Sequence, residues 1–231
     1  MQIRLETRSD GLQRLVTQGL NEFKQQEFAL ELMGDVTENE ATQLLRHIGD
    51  YIASSRQQIM ADETMRYGWS TLRFTQDPGA DLLTVEELAE PLMISAETYV
   101  RGAANTIGIL REQDETVKRN GLPKMGHHPH RSEKAVICRR VSPNLNLHVL
   151  VFDRVQVRQD DQSGWFVGCG SSSHDHNDVN ELATMHLVYL VTREPRTLSY
   201  LALPSESRVV FEAQRIIVFG PGQEEGHLDR S

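Results

Sequence analysis

The sequence predicts an α+β protein in two parts: an α+β N-terminal domain, then a β-rich, mostly antiparallel C-terminal domain. Three observations carry this. Helix-period and strand-period segments intermix up to about residue 122. The stretch GLPKMGHHPHRSEK, residues 121–134, is rich in Gly, Pro and His and reads as a linker. Beyond it the chain turns to short apolar strands. The expected division is 1–122 as the N-terminal domain, 123–133 as linker, 134–222 as the second domain and 223–231 as a flexible tail.

Taken in order, IRLET (3–7) alternates as a strand, and SDGLQRLV follows with helix-start chemistry at Ser9 or Asp10. EFALELM (27–33) reads as a strand with Phe28, Leu30 and Leu32 on one face. Thr37 and Glu40 form a T-x-x-E capping box. The helix it opens places Leu44, Leu45, Ile48 and Ile52 on one stripe and runs to about Arg56. YGWSTLRFT (67–75) reads as a strand and DPGA (77–80) as a turn. Residues 95–121 read as one long helix, with Ser95 as N-cap, Tyr99, Ala103, Ile107 and Leu110 facing the core, and Gly121 as the stop. In the second half, KAVICRRV, LHVLVFDRV, GWFVGCG and SRVVFEAQRIIVFG read as strands. Residues 178–203 suggest a short helix, an apolar stretch and a second helical turn.

The 231 residues suffice for a substantial core and contain no apolar run long enough to span a bilayer. The opening MQIRLETRSD lacks the apolar segment of a secretory signal. Two cysteines, Cys138 and Cys169, make no disulfide framework. A cytosolic protein with reduced thiols and no membrane association is the expectation. The net charge of -9 is uneven. Residues 1–125 hold 20 acidic and 13 basic side chains, a balance of -7, and the rest hold 13 and 11, a balance of -2. That excess repels phosphates, which argues against a nucleic-acid partner; it permits a basic protein partner, and solubility alone also accounts for it.

Histidines raise the question of chemistry. SGWFVGCGSSSHDHND (163–178) sets Cys169 near His174 and His176, and MGHHPHR (125–131) adds His127, His128 and His130. A structural zinc site takes four ligands, usually in C-x-x-C or H-x(3–5)-H spacing, and the chain has neither. Solvated loop histidines are therefore expected, with no metal and no cofactor. A Cys169–His174 nucleophile would need a helix start or a cation to lower the thiol pKa, and a small buried cysteine at a strand end is the expectation instead. GCGSSS lacks the lysine and third glycine of a phosphate loop. The adjacent pairs Asp160–Asp161 and Glu86–Glu87 set no catalytic geometry. No catalytic residue is assigned. The stretch 77–97 is more telling: Asp77, Asp81, Glu86, Glu87, Glu90 and Glu97 interleave with Leu82, Leu83, Val85, Leu88, Leu92 and Met93, and no Lys or Arg lies between Arg73 and Arg101. Such a composition suits a solvated edge, and equally a grip on a basic protein groove.

Residues 163–211 resemble the bacterial immunity protein family Imm33, also called the DUF2185 domain. SGWFVGCGSSS and TMHLVYLVTREPRTLSYLALPSESRVVF carry the likeness. The family pattern falls on Ser163, Gly164, Trp165, Gly170, His186, Pro195, Tyr200, Leu201, Leu203 and Pro204. With the strands upstream, the likeness spans about 134–220. Where the family has a glycine-rich turn after LP, this chain has SES, and its acidic loop is SSHDHND. The resemblance implies a binding module rather than an enzyme, an Imm33-like C-terminal domain that neutralises a cognate toxin. The expected toxin is a basic nuclease delivered by a type VI secretion system, blocked by covering its active site. Asp77, Asp81, Glu86, Glu87 and Glu90 are the first expected contacts, and Asp175, His176 and Asp178 the second. The alternatives are a zinc-dependent hydrolase using His174, His176 and the 127–130 cluster, and an interaction module without an immunity role.

Overall fold

The computed structural model describes residues 1–77, 79–95, 98–124, 127–141, 149–155, 161–171 and 174–229. Pro78 of the expected turn, Glu97, Met125 and Gly126 of the linker, Leu147 and His148, Asp160, and Ser172 and Ser173 of the histidine loop lie outside the described residues. The chain divides into two compact units, Met1–Pro91 with Ser95–Gly108, and Leu92–Ile94 with Ile109–Ser231. Helices combine with two sheets, each of mixed direction. Among the described residues no helix is long and apolar enough to cross a membrane.

The first unit orders β1 (Gln2–Thr7), β2 (Gln13–Gln18), β3 (Glu27–Glu31), α1 (Glu38–Ser55), β4 (Thr64–Tyr67), β5 (Ser70–Gln76), β6 (Leu82–Leu88) and β7 (Tyr99–Arg101). The sheet runs β1-β2-β3-β6-β5-β4, with β7 also pairing β6. Strands β3 and β6 are parallel. The capping box forms as read: Thr37 accepts from the Glu40 amide, and Glu40 reaches back to the Thr37 amide at 2.9 Å. Leu44, Leu45, Ile48 and Ile52 of α1 are fully buried with Phe28, Leu30, Phe74, Leu83 and Val85 of the sheet. Beneath a helix, β3 buries both faces, so Ala29 and Glu31 are enclosed along with Phe28 and Leu30.

Three expectations for this half are corrected. Ser9 and Asp10 start no helix; Asp10 Oδ1 accepts from the Leu12 amide at 3.1 Å and closes the β1–β2 hairpin. The side-chain acceptor that caps helices also makes Asx turns, and the run of buried residues at Leu15, Val16 and Thr17 selects a strand. Residues 67–75 are not one strand: Gly68 and Trp69 form the turn between β4 and β5, and the buried Trp69 donates to the Pro91 carbonyl at 3.1 Å. Nor does a helix begin at Ser95. Residues 99–101 are β7, and α2 spans Ala104–Arg119. Between them Gly102 has φ +95, where a Cβ would stand 3.0 Å from Met33 Cγ and 3.3 Å from the Glu31 carbonyl oxygen. Helical periodicity does not register that break. Of the expected core positions, Ala103 and Ile107 are buried, while Tyr99 and Leu110 are half-buried. The stop at Gly121 holds, with the Leu122 amide bonding back to the Val117 carbonyl at 3.1 Å.

The second unit carries β8 (Lys134–Cys138), β9 (Val149–Arg154), β10 (Gln162–Gly168), β11 (Leu182–His186), α3 (Leu187–Arg193), β12 (Arg208–Glu212), β13 (Ile216–Phe219) and β14 (His227–Leu228). Its sheet runs β11-β8-β10-β9-β12-β13-β14. Strands β8 and β10 are parallel and the other neighbours antiparallel. Short 3-10 turns at Val179–Glu181 and Pro195–Tyr200 flank β11 and α3. His130, Arg131 and Glu133 of the linker stretch are buried, and Arg131 donates to the Met93 carbonyl. The tail is tied down as far as Asp229: β14 pairs with β13, and Asp229 accepts from Arg119 at 2.7 and 2.9 Å and from the Tyr200 hydroxyl.

Candidate functional site

Parallel pairing brings the two cysteines together. Val136 and Ile137 of β8 stand opposite Phe166 and Val167 of β10, so both strands end at the same edge of the sheet. Cys138 is the last residue of β8, and Cys169 follows β10 directly. Both are buried, free thiols. His174 Nδ1 lies 3.1 Å from Cys138 Sγ and 3.4 Å from Cys169 Sγ, and His176 Nε2 lies 3.4 Å from Cys169 Sγ. One donor atom from each residue falls within 4.8 Å of all the others. Among the described residues this is the one His, Cys and carboxylate group so convergent that it can hold a metal ion. The His174 side chain is 4% exposed, and its far nitrogen, Nε2, lies 3.4 Å from Glu181 Oε2. Rings of His174 and His176 meet edge to face at 4.8 Å, and Phe166 backs His176 at 5.6 Å. Burial pushes the Cys138 thiol pKa up, and the same effect, with His174 nearby, holds the His176 imidazole below its ordinary value.

The loop leaving this cluster is built from two Asx turns. Asp175 Oδ1 accepts from the Asn177 amide at 2.8 Å, and Asp178 Oδ1 accepts from the Asn180 amide at 2.9 Å as the cap of the 3-10 turn. Arg139, just past β8, anchors the far side by donating from Nε to the Asn180 carbonyl and from its amide to the Glu181 carbonyl, both at 2.8 Å. Asp175, Asp178 and Val179 remain exposed.

The acidic stretch is organised differently. Asp77 is 8% exposed and pairs with Arg14 at 2.9 Å and Arg101 at 3.8 Å. Glu86 takes two bonds from Arg73, at 2.6 and 3.0 Å, and one from Thr75. Glu87 is 2% exposed and accepts from the amides of Asn105 and Thr106 at 2.8 and 2.7 Å, satisfying donors at the start of α2. Asp81 and Glu90 are exposed, and Asp81 accepts from Gln26. Three of the five carboxylates first expected to meet a partner are therefore used inside the fold. The apolar residues divide too: Leu83, Val85 and Leu88 are buried, whereas Leu92 and Met93 are exposed.

Three of the residues that carry the family likeness, Trp165, Leu201 and Leu203, meet around the buried Arg154. Ser163 Oγ donates to the Lys134 carbonyl at 3.0 Å, and Gly164, at φ +78, sits where the β10–β8 register shifts as in a bulge. That shift sends Trp165 inward, where its Nε1 donates to the Leu201 carbonyl at 3.0 Å. The buried guanidinium of Arg154 donates to the same carbonyl at 2.7 Å and to that of Leu203, and lies 5.5 Å from the Trp165 ring centre. Burial lowers its pKa to about 10. The bend at LALP is thus held by two donors from neighbouring strands.

Histidines 127, 128 and 130 do not join 174 and 176. His128 bonds Gln113 at 2.9 Å and faces Asp114, His127 faces Glu133, and the buried His130 bonds Ser132 at 2.7 Å. The five-histidine site of the hydrolase reading is not assembled. The expectation that His174 and His176 are only solvated loop residues is also corrected, since both face Cys169. Cys138 was missed, and its one sequence signal was its place at the end of an apolar strand, as for Cys169.

The second unit thus presents a pinned, acid-tipped loop and a bend locked by a buried tryptophan. Residues 112–219, in the C-terminal part of the chain, match the family model of the Imm33-like domain. The match begins within α2, where Gln113 donates to the Leu198 carbonyl at 2.9 Å. No curated protein and no solved structure matches the chain.

Proposed function

We propose that this protein is an immunity protein that binds a cognate antibacterial toxin and blocks it by covering its active site. The match of 112–219 to the Imm33-like domain carries this reading. Immunity-protein families imply a toxin partner and a binding role rather than catalysis. Within that reading, the toxin is a basic nuclease delivered by a type VI secretion system and met in the cytoplasm. The net charge of -9 supports a basic target, because opposite fields accelerate encounter. The loop bearing Asp175 and Asp178 is the contact we favour, and it is fixed at its base by the Cys/His cluster and Arg139.

Co-expression with the toxin encoded beside the gene tests the proposal. Growth should be restored, and the purified proteins should form a stoichiometric complex that abolishes cleavage of DNA or RNA. Cells equally poisoned with and without the protein would overturn the immunity reading. A toxin with no nuclease activity would overturn the nuclease assignment alone. Asp175→Asn with Asp178→Asn keeps the turn acceptors and removes two charges. Association should slow and its salt dependence weaken, and an unchanged rate would move the interface elsewhere.

A further inference from the structure

We propose that Cys138, Cys169, His174 and His176 form a closed, tetrahedral zinc site that staples the ends of β8 and β10 to the loop at 174–181. The donor set is that of structural zinc, two thiolates and two imidazoles. Zinc–sulfur bonds of about 2.3 Å and zinc–nitrogen bonds of about 2.0–2.1 Å separate S from N by about 3.5 Å in a tetrahedron. Three of the four S–N distances here are 3.1, 3.4 and 3.4 Å, and the fourth, between Cys138 and His176, is no more than 4.8 Å. Softer sulfur donors exclude magnesium and calcium, which take oxygen.

Four further features fit. The ligands come from two strand ends and a His-x-His turn, so sheet pairing places the sulfurs before the loop closes. Glu181 faces the outer nitrogen of His174, the place where a ligating histidine meets an orienting carboxylate. Binding releases both thiol protons to solvent, and two thiolates with two neutral imidazoles exactly offset the dication, leaving a buried site without net charge. Four protein ligands leave no position for a reacting water, which makes the site structural and not hydrolytic. The unusual spacing, with Cys138 thirty-one positions before Cys169 (169 − 138), follows from strand pairing rather than from a local knuckle.

Metal analysis of the protein purified without chelator should find about one zinc per chain. Cobalt added to metal-free protein should give the visible bands of tetrahedral cobalt and a thiolate charge-transfer band. Chelation should lower the thermal midpoint, and zinc, not magnesium, should restore it. Glu181→Gln, a positioning change on a partly exposed side chain, should weaken zinc retention against a competing chelator about tenfold. Cys169→Ser should abolish the cobalt charge-transfer band or halve it, and His176→Gln should shift the ligand-field bands in a protein that still folds. Metal-free protein with two titratable thiols and no cobalt spectrum would overturn the site. A Cys138–Cys169 disulfide in the purified protein would overturn it as well. Stoichiometric binding of a different metal would overturn the zinc assignment, and a midpoint indifferent to chelation would overturn the staple.

Discussion

Two polar stretches of this chain look alike in sequence and are used in opposite ways. In 77–90 the carboxylates turn inward: Asp77 pairs with Arg14, Glu86 with Arg73, and Glu87 accepts amides at the start of α2. In 169–181 the order is reversed, for Cys169 and His174 turn inward and Asp175 and Asp178 stay outside. A count of acidic residues therefore does not locate an interaction surface. What matters is whether the fold offers each carboxylate a partner. A mixed sheet with an arginine directly across the ladder, or a helix start against a strand end, supplies one.

The largest expected effect is at Glu87. Glu87→Ala leaves the Asn105 and Thr106 amides without their acceptor, and Thr106 is buried. With about 1–3 kcal/mol lost for a buried group left unsatisfied, and one donor closer to solvent, the cost is about 2–4 kcal/mol. Urea unfolding measures it. A loss below about 0.5 kcal/mol would show that this carboxylate is not a structural cap, and would return it to the surface residues.

Much of the first unit was legible because its signals are local. The Thr37–Glu40 box and the stripe from Leu44 to Ile52 need only the 3.6-residue period. Residues 95–103 misled because Ser95, Tyr99 and Ala103 also satisfy that period, while the decisive constraint, Gly102 packed against Met33 and the Glu31 carbonyl, comes from a distant strand. The cysteine cluster was half legible. Cys169, His174 and His176 stand together in sequence, but Cys138 joins them only through parallel pairing of β8 with β10, and parallel neighbours need a long connection that no short pattern records. The linker histidines misled for the converse reason: proximity in sequence placed His127, His128 and His130 together, and the fold gives each a different partner.

A middle effect is expected at Glu86. It faces Arg73 directly across β5 and β6, and Arg73 also lies 4.4 Å from the Tyr99 ring centre. Glu86→Gln keeps the shape and one acceptor oxygen but removes the charge. A loss of about 0.5–1 kcal/mol follows from the cross-strand pair, and salt should shrink the difference between the two proteins. An equal difference at low and high salt would mean that packing, not charge, holds the pair.

The smallest effect sharpens the contrast most. Among the described residues of the acidic stretch, Asp81 and Glu90 are the carboxylates that remain exposed, and neither caps a helix. Asp81→Lys and Glu90→Lys should each change stability by no more than about 0.5 kcal/mol. If the loop at 174–181 is the toxin contact, the two reversals alter only the long-range field, so complex lifetime should hold while association slows modestly at low salt. A complex that dissociates much faster after Glu90→Lys would place the contact on the first unit. In that event the exposed remnant of the stretch, rather than the pinned loop, is the part of the molecule that meets the toxin.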